Sequence, residues 1–252
     1  MPRKLGRKPR SFNHRIPHMS AMLGAMDLPP PPASVDWSRG ITNFGMMLND
    51  QLGDCTCAAI YHARQIWTAN TLTETTESDD IVLSLYEAVS GYTPNDPNSD
   101  NGANEQEVLT YLLNVGAPLA NNQRDKIVAF VEVDPRNIDD VKRTINECGV
   151  AYIGFDVPSI LMSSADVPAL WQVDHNNTAT DGGHAIVLIG YDSVGPYLIS
   201  WGQKYQMTWE FFSMFTDEVY AIADNSWINA TGKTPLGLSI EELKTMMHAL
   251  RG

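Results

Sequence analysis

Asn49-Asp50-Gln51-Leu52-Gly53-Asp54-Cys55-Thr56-Cys57-Ala58-Ala59 and, 184 − 55 = 129 residues further on, Gly182-Gly183-His184-Ala185-Ile186-Val187-Leu188 are the stretches whose reading decides the fold. The first puts a thiol at the head of an apolar run with helical spacing (Ala58, Ala59, Ile60, Ala63, Ile66, Trp67). The second opens a strand-sized apolar run with an imidazole behind two glycines. A thiol becomes a nucleophile at neutral pH only beside a base or a cation, and the two side chains can come from distant parts of one chain. Cys55 and His184 are therefore the candidate nucleophile and proton partner. Residues two apart on a helix point about 200° apart, so only one of Cys55 and Cys57 can face a cleft. Cys55 opens the helix, where the dipole favours a thiolate, with Asp54 placed to cap it. Cys57 reads as a core thiol.

Outward from these stretches, Asp79–Tyr92 and Glu105–Val115 read as helices and the Pro/Asn/Asp-rich 93–102 as a loop. A strand is expected over Ile127–Val133, a helix over Ile138–Cys148 and a strand over Val150–Val157. Strands follow at Ala185–Tyr191, Tyr197–Trp201 and Glu218–Ala223, then a short amphipathic helix at Ser239–Leu250. Helices first and strands later give an α+β fold with two segregated halves. Pro29-Pro30-Pro31-Pro32 favours an extended segment, which sets residues 1–33 apart as an arm from a domain at 34–252, with a helical half at about 34–120 and a β-rich half at about 121–252.

The chain has 252 residues, 43% hydrophobic and 19% charged, with a net charge of −13, as expected of a globular protein that repels nucleic acid over most of its surface. The longest apolar run, Ala185–Gly190, is far too short to cross a bilayer, so no membrane partner is expected. Met1–Arg15 runs against the overall charge, with Arg3, Lys4, Arg7, Lys8, Arg10 and Arg15 and no acid. Two readings stand: a solvated arm, or one that docks on an acidic protein surface or nucleic acid. It is too polar for a secretory signal peptide, so a location in the cytoplasm or a virion is expected.

Three cysteines do not make a disulfide framework, and Cys-x-Cys with one further Cys is a poor zinc pattern; neither metal nor cofactor is expected. Asp96, Asn98, Asp100 and Glu107 resemble a calcium loop, but Asn101 stands where the sharp-turn Gly is needed, which leaves an Asn/Asp turn leading into the next helix. His62, two helical turns beyond Cys55, reads as structural, and His175 as exposed.

The order of Val35-Asp36-Trp37, a Cys at a helix start, helices, His184-Ala185 and Ser200-Trp201-Gly202 resembles that of the papain-like cysteine peptidases. Trp37 precedes Cys55 by 18 residues, as in that family. The same ungapped match puts Gly53 two before the Cys and Asn49 at the family's oxyanion-hole Gln. Cys57 as nucleophile would put a true Gln, Gln51, there, but would break the Trp37 spacing and place Cys55 at the Gly. His184–Tyr191 is similar to "HAVxVVGYG", and Trp201 to the indole that shields the catalytic His. The resemblance covers roughly residues 35–224. It implies a helical half carrying Cys55, a β-rich half carrying His184 and a cleft between. It also implies a catalytic set of Cys55, His184 and Asn49 acting on a peptide or protein substrate.

One position departs from the family: Ile199 stands where the Asn that orients the His is expected. Ser200 or Gln203 could take over through a small shift, and Asn225-Ser226-Trp227 is read as a coincidental match. Asn49–Cys55, Gly182–Ala185, Ser200–Gly202 and Met207-Thr208-Trp209 are also similar to a group of phage and bacterial papain-like proteins. That keeps a second function open, a weakly active or inactive scaffold with a role in virion assembly. A thiol transferase on the same pair is a third.

Overall fold

The computed structural model describes residues 3–20, 29–232 and 239–247. Chain order gives β1 (Val35–Asp36), α1 (Cys55–Thr71), α2 (Asp79–Ser90), α3 (Glu105–Asn114), β2 (Ala117–Pro118), β3 (Arg124–Asp125) and β4 (Ala129–Val133). Then come α4 (Ile138–Cys148), β5 (Ala151–Pro158), α5 (Ser159–Ser163), β6 (Leu170–Trp171), β7 (Thr180–Tyr191) and β8 (Pro196–Ser200). The series ends with β9 (Gln203–Met207), α6 (Trp209–Phe215), β10 (Thr216–Ala223), α7 (Asn225–Thr231) and α8 (Ile240–Met247). The fold is α+β. The helices and strands expected from periodicity are present within a few residues, except that the last three residues expected in α8 and the two after them lie outside the described set. Periodicity missed the short β1, β2, β3, α5 and β6 as well as β9, α6 and α7. No element was expected over 209–215, where Thr208 caps the short helix α6 by accepting from the Phe211 N–H.

Eight strands form one sheet in the order β4-β10-β5-β7-β8-β9-β6, with β1 on β7. Its pairings are antiparallel except β6 with β9. Strand alternation divides the core into two layers. Ala185, Val187 and Ile189 of β7 face a cluster that holds α1, α2 and α3, while Ile186 and Leu188 face one built on α4 and α6. The central strands are apolar on both faces because both are covered. The chain crosses between the two halves at both ends: β1 pairs with β7 at Val35↔Tyr191, and Trp227 of α7 meets Trp37 edge to face at 5.0 Å. Trp227 also lies against Gly149, where an added Cβ would come 2.8 Å from its ring. The "NSW" string at 225–227 thus belongs to this packing.

Candidate active site

α1 starts abruptly at Cys55. Asp54 sits at the N-cap position, but its side chain makes no cap; its backbone carbonyl accepts from the Cys57 and Ala58 N–H groups instead. The expected capping role is therefore corrected: the Asp54 carboxylate is fully buried and turned towards Asn49, whose Nδ2 donates to Oδ1 at 3.3 Å. Burial pushes the Asp54 carboxyl well above the carboxylate range. The turn that leads in holds Met47 and Leu48 at φ 54° and 66°, left-handed values that cost non-glycine residues about 1–3 kcal/mol each and gather at functional sites. Asn49 is buried, and its Nδ2 also lies 3.5 Å from the Leu52 carbonyl. In this state its donor points at Asp54 and Leu52. Asp100 clamps the turn from the other side, accepting from the Gly53 N–H at 3.0 Å and the Tyr86 hydroxyl at 2.6 Å.

Cys55 and His184 meet through backbone. The Ala185 N–H donates to Cys55 Sγ at 3.4 Å, so the thiol lies against the residue next to the imidazole. His184 is buried, stacked on Trp201 with ring centres 4.7 Å apart, and meets Phe155 edge to face. Its Nε2 is 2.9 Å from the Ser200 hydroxyl, and its Nδ1 has no hydrogen-bond partner.

The register explains why Ser200, not Ile199, holds the ring. Ile199 pairs with Val187 and points into the α1 layer, and the next residue, Ser200, points to the opposite face with His184. The position expected from the family match is thus shifted by one. Trp201 and Gly202 form the two-residue turn between β8 and β9, both with positive φ (46° and 73°), the pattern of a type I′ hairpin turn. A tryptophan is a costly choice there, and its ring covers His184.

Residues 3–8 run through the groove between 102–104 and 182–184, bridging Ala103 in parallel and Gly183 in antiparallel sense. The Lys4 N–H donates to the Asn49 carbonyl, Arg7 N–H to Gly183, Ala103 N–H to Gly6 and Lys8 N–H to Ala103, all between 2.9 and 3.2 Å. Backbone passes so close that glycines are required. A Cβ on Gly6 would lie 1.8 Å from the Gly53 carbonyl oxygen, and one on Gly102 1.9 Å from that of Gly6. Arg3 lies over the Trp201 ring and donates to the Leu161 carbonyl at 2.7 Å. The acidic surface met by this basic segment is the chain's own.

Under this cover Cys55 is 1% exposed. Burial raises its thiol to about 12, with the Ala185 amide and then Gly6 opposing and Asp54 adding to the rise. Burial, then the charge of Arg7, lowers His184 to about 3. The pair is therefore neutral thiol and neutral imidazole. The helix dipole at Cys55, favourable by no more than about 2 kcal/mol, does not offset burial of that size.

The remaining candidates fall away from this centre. Cys57 is buried and its thiol is held well above the ordinary range by burial. His62 Nε2 is bonded to the Gly45 carbonyl at 3.2 Å, and His175 is exposed beside Glu210. Asp96 caps a short turn at Asn98, and Asn104 caps α3.

No family model and no curated protein matches the sequence. Solved structures do match. Xylellain, a cysteine protease from Xylella fastidiosa, superposes with a TM-score of 0.68 at 16% identity, over 89% of this chain and 98% of its own. Procathepsin B S9 from Trypanosoma congolense gives 0.58 at 11%, over 88% and 86%. Digestive procathepsin L 3 from Tenebrio molitor gives 0.56 at 15%, over 88% and 76%. The chain has the fold of the papain-like cysteine proteases.

Proposed function

We propose that the protein is a cysteine hydrolase of peptide or amide bonds, with Cys55 as nucleophile and His184 as its proton partner. The observation that supports this most is the unpartnered Nδ1 of His184 on an imidazole whose other nitrogen is already held by Ser200, with the thiol against the next residue's amide. A nitrogen left free in a buried site is costly unless something takes it up, and the Cys55 thiol lies against the amide of the next residue.

In the reaction His184 Nδ1 takes the Cys55 proton, and Sγ attacks the substrate carbonyl. The oxyanion forms against the Cys55 N–H at the helix start, with Asn49 Nδ2 joining once it turns from Asp54. The imidazolium then protonates the leaving amine, leaving a thioester. Water, deprotonated by His184, attacks that thioester and returns the thiol. Residues 3–8 must leave the groove before a substrate enters.

The test is alkylation by iodoacetamide of the full chain carrying Arg7→Ala, with and without His184→Ala. Rapid labelling of Cys55 at pH 7 that His184→Ala abolishes is the expected result, and equal labelling in the two would sink the proposal. The second reading, an inactive scaffold, is favoured by the covered, neutral pair, and equal labelling is its signature.

A further inference from the structure

The groove contains a second feature that the reaction above does not use. Gly154 of β5 stands opposite Glu218 of β10 and beside Ala185 of β7, one strand position from the thiol. Having no side chain, it leaves a hole in the sheet face, and a Cβ there would lie 2.1 Å from Glu105 Oε2 and 2.2 Å from Arg7 Nε. The Arg7 guanidinium fills this hole. Its Nε donates to Glu105 Oε2 at 2.9 Å and Glu218 Oε1 at 2.8 Å, Nη2 meets Asp217, and Nη1 is 3.7 Å from Asp156. Both glutamates are fully buried. Tyr220 donates to Glu218 Oε2 and Gln106 to the Tyr220 hydroxyl, so the carboxylate is held from behind. Glu105 Oε1 has no partner. A cavity of about 400 Å³, lined by Thr178 and Thr180 among others, shares the two rim aspartates Asp156 and Asp217.

Two buried carboxyls with two more at the rim are far more acid than one arginine in a stable fold requires. With the pocket emptied, Glu218, the member of the pair held, against its burial, below the ordinary carboxyl range by Glu105 and Arg7, would bury a negative charge without compensation. The backbone groups around them, Ala103 N–H and C=O and the Gly183 C=O, hold an extended strand by main-chain hydrogen bonds, the way a sheet edge takes up a peptide. Main-chain bonds accept any sequence; the side-chain pocket supplies the choice.

We propose that the Glu105–Glu218 pocket is the specificity site of this groove. It selects peptides that carry an arginine side chain, and Arg7 occupies it in cis. This rests on the hydrolase reading for its meaning but not for its measurement.

The test uses the full chain with Cys55→Ala and Arg7→Ala, which binds without cleaving. The probes are two fluorescent nonapeptides, Arg-Lys-Leu-Gly-Arg-Lys-Pro-Arg-Ser and the same peptide with Leu at its fifth position. The arginine peptide should bind at least about tenfold tighter, the worth of one desolvated charge-assisted contact. Adding Glu105→Gln and Glu218→Gln should erase the preference. Equal binding of the two peptides, or a preference that survives both Gln substitutions, overturns the proposal. If Arg7→Ala does not fold, amide exchange at Arg7 and Lys8 in the wild-type chain decides it. Acetyl-arginine methylamide should speed that exchange and acetyl-leucine methylamide at equal concentration should not; equal effects overturn it. Selective binding together with failed alkylation would leave the pocket standing and remove the hydrolase reading, so the two failures are distinguishable.

Discussion

Ser200 is the smallest group on which the proposed chemistry depends. Its hydroxyl is the only hydrogen-bond partner among the described residues for either ring nitrogen of His184, and it fixes which nitrogen stays free. Ser200→Ala leaves Nε2 buried and unpaired at a cost of about 1–3 kcal/mol, part of it relieved by ring rotation. Alkylation of Cys55 in the Arg7→Ala chain should slow by about tenfold at pH 7, the rate equivalent of about 1.4 kcal/mol. An unchanged rate would mean that Trp201 stacking alone orients the ring. That Ser200 and not Ile199 does this was half legible. The family match found the segment and Trp201, but which residue faces the His depends on the β7–β8 register, and shifting that by one exchanges the faces. The Cys55 and His184 positions were readable because Cys55 begins an apolar helix and His184 directly precedes the apolar run Ala185–Gly190 of β7. The Asp54 side chain was misread because sequence cannot say whether a capping residue turns to the helix or, as here, to Asn49.

At the scale of elements, the informative contact is the N-terminal segment in its groove. The sequence displayed its positive charge but not its destination. The acids that receive it come from α3 and β10, more than a hundred residues apart (Glu105 and Glu218), and no local pattern joins them. Backbone closeness gives a way to release the segment without touching the charges. Gly6→Ala puts a methyl into the Gly53 backbone, which cannot yield as a flexible side chain can. The segment should lift while the sheet stays intact. Cys55, exposed to water, should then lose much of the burial that holds its thiol at about 12, and the pH at which alkylation sets in should fall towards neutrality. Alkylation profiles of wild type and Gly6→Ala between pH 6 and 10 check this; coincident profiles would show that the segment does not gate the thiol. Asn104 couples the same segment to α3. Its Oδ1 accepts from the Gln106 and Glu107 N–H groups, and its Nδ2 donates to the Pro9 carbonyl at 3.1 Å. Asn104→Ala should destabilise the protein by about 1 kcal/mol as a lost N-cap, read from the urea midpoint at constant m-value.

For the whole molecule, the two-layered core sets how stability depends on pH, because it buries titratable groups of both kinds. His62 is held neutral, lowered to about 4 by burial against only partial support from the Gly45 carbonyl. The unfolded chain takes up that proton near pH 6.5 and the folded one refuses it until about 4. The stability contributed by keeping His62 neutral is thus complete above pH 6.5 and is lost as pH falls through the window between the two values. Asp54 and Glu105 act in the opposite sense: burial raises both carboxyls, so the folded chain keeps protons that the unfolded one gives up, and their contribution is lost as pH rises above the carboxylate range. The observed slope for the wild-type protein is a sum in which these parts offset one another, and only a difference isolates one of them. His62→Gln keeps a donor for the Gly45 carbonyl and removes the titration. Between pH 6.5 and about 4 the wild-type protein should lose stability relative to this variant by about 1.4 kcal/mol per pH unit, and above pH 7 the two curves should run parallel. Urea unfolding of both proteins across pH 4 to 8 measures the difference directly. A gap that stays constant throughout would show that His62 titrates alike in the folded and unfolded chains, and with it that the α1 layer is wetter at its Gly45 end than its packing implies.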